Sequence, residues 1–296
     1  MQNNYTTERL ILSKLHISDA PFIYELVNTQ GWIQFIGDRN VKNLTDAEGY
    51  VQRINDNPNV TYWVVRTKAE DVPIGLITLI KRDYLEHSDI GFAFLPEHAG
   101  KGYAYEGAIA VLRDLANDPA HTHFVAIIVG DNTNSIKLSE KLGLRFSHEF
   151  ERDGETLSQY RVSADKVHID HLVEHFFDVF TNVGGRQPNL DAIHHLCLLQ
   201  AIIVKKIGNE ETVYDLEGFI EPRRTILTDG TLTEFKEWEV SEETKIIGQL
   251  AQRHSAYKKS GRMNGQNFEG AGNKMFQFIK TTDGWRICSV IWEDEG

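Results

Sequence analysis

Hydrophobic residues in the first half of the chain follow two spacings. The segments "RLILSKL", "TYWVVRT", "PIGLITLIKR" and "SDIGFAF" are rich in Ile, Val, Leu and Phe and are separated by turn residues, which is typical of strands. Because these segments follow one another, we expect an antiparallel meander. "YAYEGAIAVLRDLAND" has helical composition, "HFVAIIVG" indicates a buried strand, and "TNSIKLSEKLG" indicates a short helix closed by Gly143. The pattern predicts a mixed α/β domain.

The pattern changes near "SADKVHID". A helix is predicted there from one apolar stripe at helical spacing, formed by Ile169, Leu172, Val173, Phe176, Phe177 and Phe180. An apolar helix is expected around His194 and His195, and "LEGFIEPRRTILTDG" is expected to be broken at Pro222 and Gly230. Four long strand-like runs follow: "TLTEFKEWEV", "TKIIGQLAQRHSAYKK", "GNKMFQFIKTT" and "GWRICSVIWED". Helices followed by a long antiparallel sheet predict an α+β domain. We therefore predict two domains, residues 1–164 and 165–296.

Composition and charge narrow the class of protein. The 296 residues are 41% hydrophobic and 25% charged, and no apolar run reaches the roughly 18 residues that cross a membrane. The N-terminal segment lacks the features of a signal peptide, so a cytoplasmic protein is expected. The net charge of −12 disfavours nucleic acid and favours a cationic or amine-bearing substrate. Two cysteines are too few for a structural zinc site, and the histidines of "HIDHLVEH" are expected to face solvent, so no metal is predicted.

The segment "LPEHAGKGYA" places a glycine-rich turn between the strand "DIGFAF" and a helix that is predicted to begin near Tyr103. Gly100 and Gly102 remove side chains from the turn and leave nearby backbone amides free at a helix N-terminus, which suits an anion. The third glycine of a dinucleotide fingerprint is missing, and no Walker GK[ST] follows. A phosphate cradle and a plain tight turn are the two interpretations that these residues leave open.

The chain resembles the GNAT acetyltransferase superfamily, and within it the RimJ/RimL-like N-acetyltransferase branch. The likeness rests on "IGFAFLPEHAGKGYAYEGA" and on "DNTNSIKLSEKLGLRF", two ordered motifs at a family-like separation, and it covers roughly residues 5–163. The resemblance implies acetyl-CoA as cosubstrate, with its pyrophosphate held by the turn and its pantetheine arm by a strand that splays from its neighbour. Carried over to this chain, the residues that contact acetyl-CoA are Ala93, Phe94, Leu95, His98, Gly100, Lys101, Gly102, Tyr103, Ala104 and Asn132. Ala93 would supply the amide that polarises the acetyl carbonyl. Where relatives often carry a basic or amide side chain before the first glycine, this chain has Ala99.

The same resemblance suggests candidates for proton transfer. Ser139 stands where many relatives have a tyrosine that protonates the departing thiolate, and Ser135 lies one turn earlier on the same helix face. Either serine, or neither, could act as the general acid. Asp89 matches a position where some members carry a catalytic glutamate, and Glu149 and Glu151 are rival bases. Asn132 is also expected to cap its helix.

The second half resembles the nuclear transport factor 2-like, or SnoaL-like, superfamily, in which a curved sheet wraps helices into a cone with a pocket. The likeness rests on element order and on the closing strands "FQFIKTTD" and "GWRICSVIWEDE". That superfamily includes enzymes, ligand binders and dimerisation modules, so a homodimer through this domain is one expectation. Four residues are candidates for binding an anion or carbonyl in its pocket: Arg223, Arg224, Arg253 and Tyr257.

Three functional hypotheses follow. The first is an acetyl-CoA-dependent N-acetyltransferase that acts by direct attack of a primary amine, such as a peptide N-terminus, a polyamine or an aminoglycoside-like compound. The second is a protein that senses CoA or binds a ligand without turnover. The third places an isomerase, hydrolase or dehydratase activity in the second domain. The intact strand, turn and "NxxS" motif favour the first hypothesis.

Overall fold

The computed structural model describes residues 2–295. The chain divides into two compact units, one ending at Val167 and the other beginning at His168. The assignment of separate domains to residues 1–164 and 165–296 stays a prediction. Among the described residues, no helix is both long enough and apolar enough to cross a membrane.

The N-terminal unit contains an eight-stranded sheet and five α-helices within the described range. Its strands are β1 (Asn4–Thr6), β2 (Leu10–Lys14), β3 (Val60–Thr67), β4 (Pro73–Ile80), β5 (Ser88–Phe94), β6 (His123–Val129), β7 (Arg145–Arg152) and β8 (Glu155–Ser163). Its helices are α1 (Ala20–Val27), α2 (Gln30–Phe35), α3 (Leu44–Asp56), α4 (Tyr103–Ala116) and α5 (Thr133–Lys141).

The strands of this unit lie in the order β1-β2-β3-β4-β5-β6-β8-β7. Neighbours are antiparallel from β1 to β5 and from β6 to β7, and β5 pairs with β6 in parallel. The predicted meander and the mixed α/β class are therefore confirmed. One core cluster packs α4 against the sheet, and a second packs α1 and α3 against it.

The ends of α4 and α5 follow from local sequence. Gly102 adopts φ +81° and is the N-cap of α4, as a residue without a side chain can do easily. Asn132 caps α5 by accepting a hydrogen bond from the Ser135 N–H at 3.1 Å, which confirms the predicted cap. Gly143, at φ +89°, follows the last turn of α5 as predicted.

The second unit contains a six-stranded sheet with helices. Helix α6 (Ala164–Asp178) spans the division after Val167. The other helices are α7 (Ile193–Leu196) and α8 (Leu216–Thr228), and the strands are β9 (Cys197–Ile207), β10 (Glu210–Tyr214), β11 (Leu232–Ile247), β12 (Leu250–Met263), β13 (Gln266–Thr281) and β14 (Gly284–Asp294). The strand order is β10-β9-β14-β13-β12-β11, antiparallel except for the parallel pair β9 and β14. The apolar stripe predicted for α6 is buried in the core of this unit.

Three local predictions in the second unit are wrong. The chain around His194 and His195 is a helix of only four residues, and the apolar run after it is strand β9. The segment "TKIIGQLAQRHSAYKK" is not one strand, because Gly248 at φ +58° turns the chain between β11 and β12. Helix α8 continues through Pro222, although proline lacks the N–H that a helix interior requires.

The histidines of α6 also differ from expectation. His175 is exposed, but His168 and His171 are half-buried. The His171 and His175 rings lie 4.0 Å apart between centroids. Within residues 2–295, no group of three or more potential ligands is arranged to hold a metal ion.

Candidate functional site

Strands β5 and β6 separate soon after they pair. Their parallel register includes Ser88 with Phe124 and Asp89 with Val125, whereas β5 continues to Phe94. Although β5 lies between two strands of the sheet, its residues from Gly91 to Phe94 are all partly exposed. The separation therefore opens a cleft beside the second half of β5.

The register with β4 determines which amides of β5 face this cleft. The Leu95 N–H donates to the Ile74 carbonyl at 3.0 Å, and Ala93 lies opposite Leu76 two residues earlier. Because residues of an antiparallel strand alternate in the direction of their backbone groups, the Ala93 N–H also points toward β4. The amides of Phe92 and Phe94 then point into the cleft. The Ala93 amide, predicted to polarise the acetyl carbonyl, therefore points toward β4, and the Leu95 amide is already used by the sheet. The role of Ala93 at the acetyl carbonyl stays a prediction.

The glycine turn lies directly after β5. Gly100 and Gly102 adopt φ +73° and +81°, a region that residues with side chains rarely occupy. Four backbone amides in and after the turn make no hydrogen bond to any acceptor in the described chain, namely those of Lys101, Gly102, Tyr103 and Ala104. Unpaired N–H groups at a helix N-terminus attract an anion. Lys101 is exposed and His98 is half-buried, so both side chains are accessible beside the turn.

A clamp between Arg9 and Glu106 holds the turn, and the sequence pattern did not reveal it. Arg9 Nε donates to Glu106 Oε2 at 2.7 Å, and Arg9 Nη1 donates to the Lys101 carbonyl at 3.0 Å. The guanidinium also lies 4.6 Å from the centroid of the Tyr103 ring. Burial opposes ionisation of Glu106, but hydrogen bonds from Thr7 and Arg9 outweigh it and lower the pKa of its carboxyl. Arg9 and Glu106 are 97 residues apart, so no local spacing could have predicted the contact.

The two serines of α5 differ in environment. Ser139 is completely buried, and its hydroxyl makes no hydrogen bond among the described residues. Ser135 is half-buried and contributes its backbone N–H to the Asn132 cap. Buried hydroxyls normally have a hydrogen-bond partner. The Ser139 hydroxyl has none in the described protein, so a ligand or a water molecule could serve as its partner.

Asp89 lies at the point where β5 and β6 separate. Its Oδ2 accepts from Arg82 Nε at 2.7 Å, and its Oδ1 accepts from the Ile127 N–H of β6 at 3.3 Å. Burial raises the pKa of the Asp89 carboxyl, against the opposing effects of these two donors. The rival bases Glu149 and Glu151 are exposed on β7.

Three aromatic residues of the helical region before β3 are mostly structural. Trp32 and Tyr50 are buried in the core cluster that joins α1 and α3 to the sheet. Phe35 is half-buried. The first two therefore serve as core residues.

Comparisons with known proteins agree with this geometry. The profile of the acetyltransferase (GNAT) domain family matches residues 9–145. The uncharacterized N-acetyltransferase YnaD of Bacillus subtilis is 29% identical over 141 residues, which are 47% of this chain and 81% of YnaD. The uncharacterized protein YkkB of the same species is 26% identical over 158 residues, covering 52% of this chain and 92% of YkkB.

A solved structure gives the same fold. The crystal structure of a GCN5-related N-acetyltransferase from Brucella melitensis superposes with a TM-score of 0.52 at 12% identity, over 63% of this chain and 91% of the other. The family profile spans β5, the glycine turn and α5, the elements that build the cleft. Residues 9–145 are therefore a GNAT acetyltransferase domain, and the protein is an acetyltransferase.

Proposed function

We propose that the N-terminal unit transfers the acetyl group of acetyl-CoA to a primary amine by direct attack of the amine on the thioester. One observation carries this proposal: the cleft between β5 and β6 opens beside a turn whose amides at residues 101–104 are unpaired. A thioester needs donors at its carbonyl, and a pyrophosphate needs donors at its oxygens. The cleft and the turn offer both within a few residues of chain.

Each group in the cleft has a distinct role in this proposal. The turn amides, with Lys101 and His98 beside them, hold the pyrophosphate. The cleft-facing amides of Phe92 and Phe94 donate to the acetyl carbonyl and to the pantetheine arm. Such fixed donors stabilise the charge that develops on the carbonyl oxygen as the amine attacks. Asn132 keeps α5 in place through its cap.

The amine must be neutral before it attacks. We assign proton removal to Asp89, reached through water, because each of its oxygens keeps a lone pair beyond the hydrogen bonds to Arg82 and Ile127. A carboxyl with a raised pKa is a better proton acceptor than an ordinary one. Ser139, with its unpaired hydroxyl, is assigned to pass a proton to the departing thiolate. The proton that the attached nitrogen releases as the amide forms restores the hydroxyl.

The acceptor is proposed only as a class. The net charge of −12 favours cationic amines over neutral or anionic ones by raising their local concentration. Peptide N-termini, polyamines and aminoglycoside-like amines all fit this description. The two motifs quoted above further support placement in the RimJ/RimL-like branch.

The second unit is proposed to be nuclear transport factor 2-like. Support comes from its order of elements, in which α8 follows the hairpin of β9 and β10 and four long strands come last. The parallel pairing of β9 with β14 completes the sheet. Dimerisation through this unit stays part of the proposal. This unit also contains a cavity lined by Glu237 and Asp294. Each of these carboxylates is held by a lysine, so ligand binding is favoured over acid–base chemistry in the cavity.

The test is release of free CoA thiol from acetyl-CoA by the full-length protein, measured with a thiol reagent against a panel of amines. We expect release that depends on the amine, with mass spectrometry identifying the acetylated product. A titration of CoA by calorimetry is run on the same samples. If the protein binds CoA tightly but releases no thiol with peptide N-termini, polyamines or aminoglycosides as acceptors, the proposal is wrong and a CoA-sensing protein is favoured.

A further inference from the structure

The second unit contains a cavity of about 330 Å³. Six aromatic residues, together with aliphatic side chains, form its apolar wall, namely Phe176, Phe180, Phe219, Phe235, Phe268 and Trp292. A concave apolar space of this volume is the size that small-molecule sites commonly have. We refer to it as the aromatic cavity.

Most of the charged groups in the aromatic cavity are already paired. Lys274 Nζ lies 2.9 Å from Glu237 Oε1, and Lys259 contacts Asp294. Asp294 also accepts from the Tyr257 hydroxyl at 2.6 Å, and Lys205 Nζ lies 3.7 Å from its Oδ2. Every carboxylate in the lining thus has a lysine partner.

Arg223 is the exception among these cations. The described residues 2–295 place no carboxylate within ion-pair distance of its guanidinium, and Glu237, which lies in the same cavity, is already bound to Lys274. With Lys205, Lys259 and Lys274, the lining carries four basic side chains against the two carboxylates Glu237 and Asp294. Burial lowers the pKa of Lys274, but the other three basic groups alone outnumber the carboxylates. The cavity therefore has an excess of positive charge.

The Arg223 guanidinium is held in a fixed orientation. Its Nη1 donates to the Phe219 carbonyl at 2.7 Å, and its Cζ lies 3.6 Å from the centroid of the Phe219 ring. Burial lowers the pKa of Arg223 to about 10, which leaves the group charged at neutral pH. A partly desolvated cation without a counter-ion is unfavourable, and an anion bound beside it would remove that cost. The guanidinium fork also matches the two oxygens of a carboxylate.

The other candidates for anion binding are already satisfied. Arg253 is buried against Glu239 and Asp170, with its Nη1 2.5 Å from Asp170 Oδ1. Tyr257 donates to Asp294. Arg224, the next residue along α8, pairs with Asp191 at 2.7 Å and with Glu221 at 3.2 Å. Arg223 alone among these four lacks an acidic partner in the described chain.

We propose that the aromatic cavity binds a small organic anion, a carboxylate carried on an aromatic or aliphatic body, with the carboxylate at Arg223 and the apolar body against the rings. This site is separate from the acetyl-transfer cleft in residues and in chemistry. If the aromatic cavity does not bind such an anion, the proposed acetyltransferase activity is unaffected.

The first experiment compares three probes of one shape on the full-length protein. Calorimetry measures binding of 1-naphthoate, neutral 1-naphthamide and cationic 1-naphthylmethylamine, with CoA present at saturation to occupy the anion site of the other unit. We expect naphthoate to bind at least tenfold more tightly than naphthamide, and the amine to bind most weakly. Equal binding of acid and amide, absence of binding, or displacement of naphthoate by CoA would overturn the proposal.

The second experiment uses neighbouring arginines as a matched pair. Arg223→Met keeps an unbranched stem over Phe219 and removes the charge, so naphthoate affinity should fall tenfold or more while naphthamide affinity stays the same. Arg224→Met should change neither. If Arg223→Met no longer unfolds cooperatively on heating, Ile226→Trp is tested instead. Ile226 lines the cavity, and the larger tryptophan side chain should abolish binding of both probes. Wild-type affinity in Arg223→Met, or in a folded Ile226→Trp, contradicts the assignment.

Discussion

Arg9 Nε lies 2.7 Å from Glu106 Oε2, which ties the start of β2 to the first turn of α4. The same guanidinium reaches the Lys101 carbonyl inside the glycine turn at 3.0 Å. One side chain therefore fixes both the helix and the loop whose amides face the cleft. The turn is preorganised by a contact with the residue that precedes β2, a strand three positions away from β5 in the sheet.

Arg9→Met should weaken binding of acetyl-CoA more than it weakens the fold. Arg9 is 45% exposed in its side chain, and an exposed ion pair contributes only about 0.2–1 kcal/mol to stability. Loss of the clamp should raise the KM for acetyl-CoA several-fold with little change in kcat and only a small fall in the thermal midpoint. Arg53→Met, on α3, is the control. A fall in kcat with unchanged KM would indicate that Arg9 does not act through the turn.

The glycines of "GKGYAYEG" should differ sharply when replaced by alanine. Gly102→Ala forces a residue with a side chain into φ +81°, which costs roughly 1–2 kcal/mol, and it should weaken CoA binding at least tenfold. Gly107 lies inside α4, where a new methyl would meet Ile77 at 3.5 Å and Leu12 at 3.6 Å, which are ordinary contacts. Gly107→Ala should therefore be neutral or stabilise by up to about 1 kcal/mol. Chemical denaturation and CoA calorimetry measure both effects, and equal effects of the two substitutions would contradict this view of the turn.

Local signals in the sequence predicted the elements that build the cleft. The start of α4 at Tyr103, the Asn132 cap and the meander before the turn follow from glycine, capping residues and β-rich segments that lie close together in the chain. The direction in which the backbone amides of β5 point could not be predicted from such local signals. Whether the amide of Ala93 or of its neighbours faces the cleft depends on the register with β4, which only the pairing reveals.

Two elements of the second unit also differ from what the sequence pattern predicted. Pro222 indicated a break in α8, but the helix continues, and the Arg223 side chain donates to the Phe219 carbonyl within it. The strand "CLLQAIIVKKI" has an apolar run that also fits a helix, and it becomes β9 through pairing with β14 and β10. Strand pairing decided the outcome for β9. In α8, the one backbone hydrogen bond that Pro222 cannot make did not end the helix.

Ser139→Ala should slow turnover without destabilising the protein. The Ser139 hydroxyl is buried without a hydrogen-bond partner in the described chain, so its removal should leave the free energy of unfolding unchanged or slightly higher. If this hydroxyl donates to the leaving thiolate, kcat should fall about tenfold or more, within the usual range for general acid catalysis. Ser135→Ala, on the same helix, is the control and should retain activity. A larger loss in Ser135→Ala than in Ser139→Ala would reverse the assignment.

Asp89→Asn should remove a pH dependence from both activity and stability. As a proton acceptor, Asp89 must be ionised, so kcat/KM of the wild type should rise as the pH passes through the raised pKa of Asp89. The variant should lose this rise, and its rate should be roughly a hundredfold lower.

The stability of the fold should depend on pH in the opposite direction. The folded state holds this proton more tightly than the unfolded chain, so the contribution of Asp89 is present below its ordinary pKa of 3.8 and is lost as pH rises through the folded value.

Denaturation curves between pH 4 and 8, compared with those of Asp89→Asn, measure that loss. Asp83→Asn, which removes an exposed carboxyl next to Arg82 in the chain, is the matched control and should change neither pH profile.

CoA calorimetry on Asp89→Asn checks that the cleft remains intact, since Asp89 also accepts a hydrogen bond from the Ile127 N–H where the strands separate. If the variant binds CoA normally and keeps the wild-type rise in kcat/KM, Asp89 holds the strands apart and the base is another group. Glu149, which faces Ser158 at 3.5 Å on the neighbouring hairpin, is then the next carboxylate to replace.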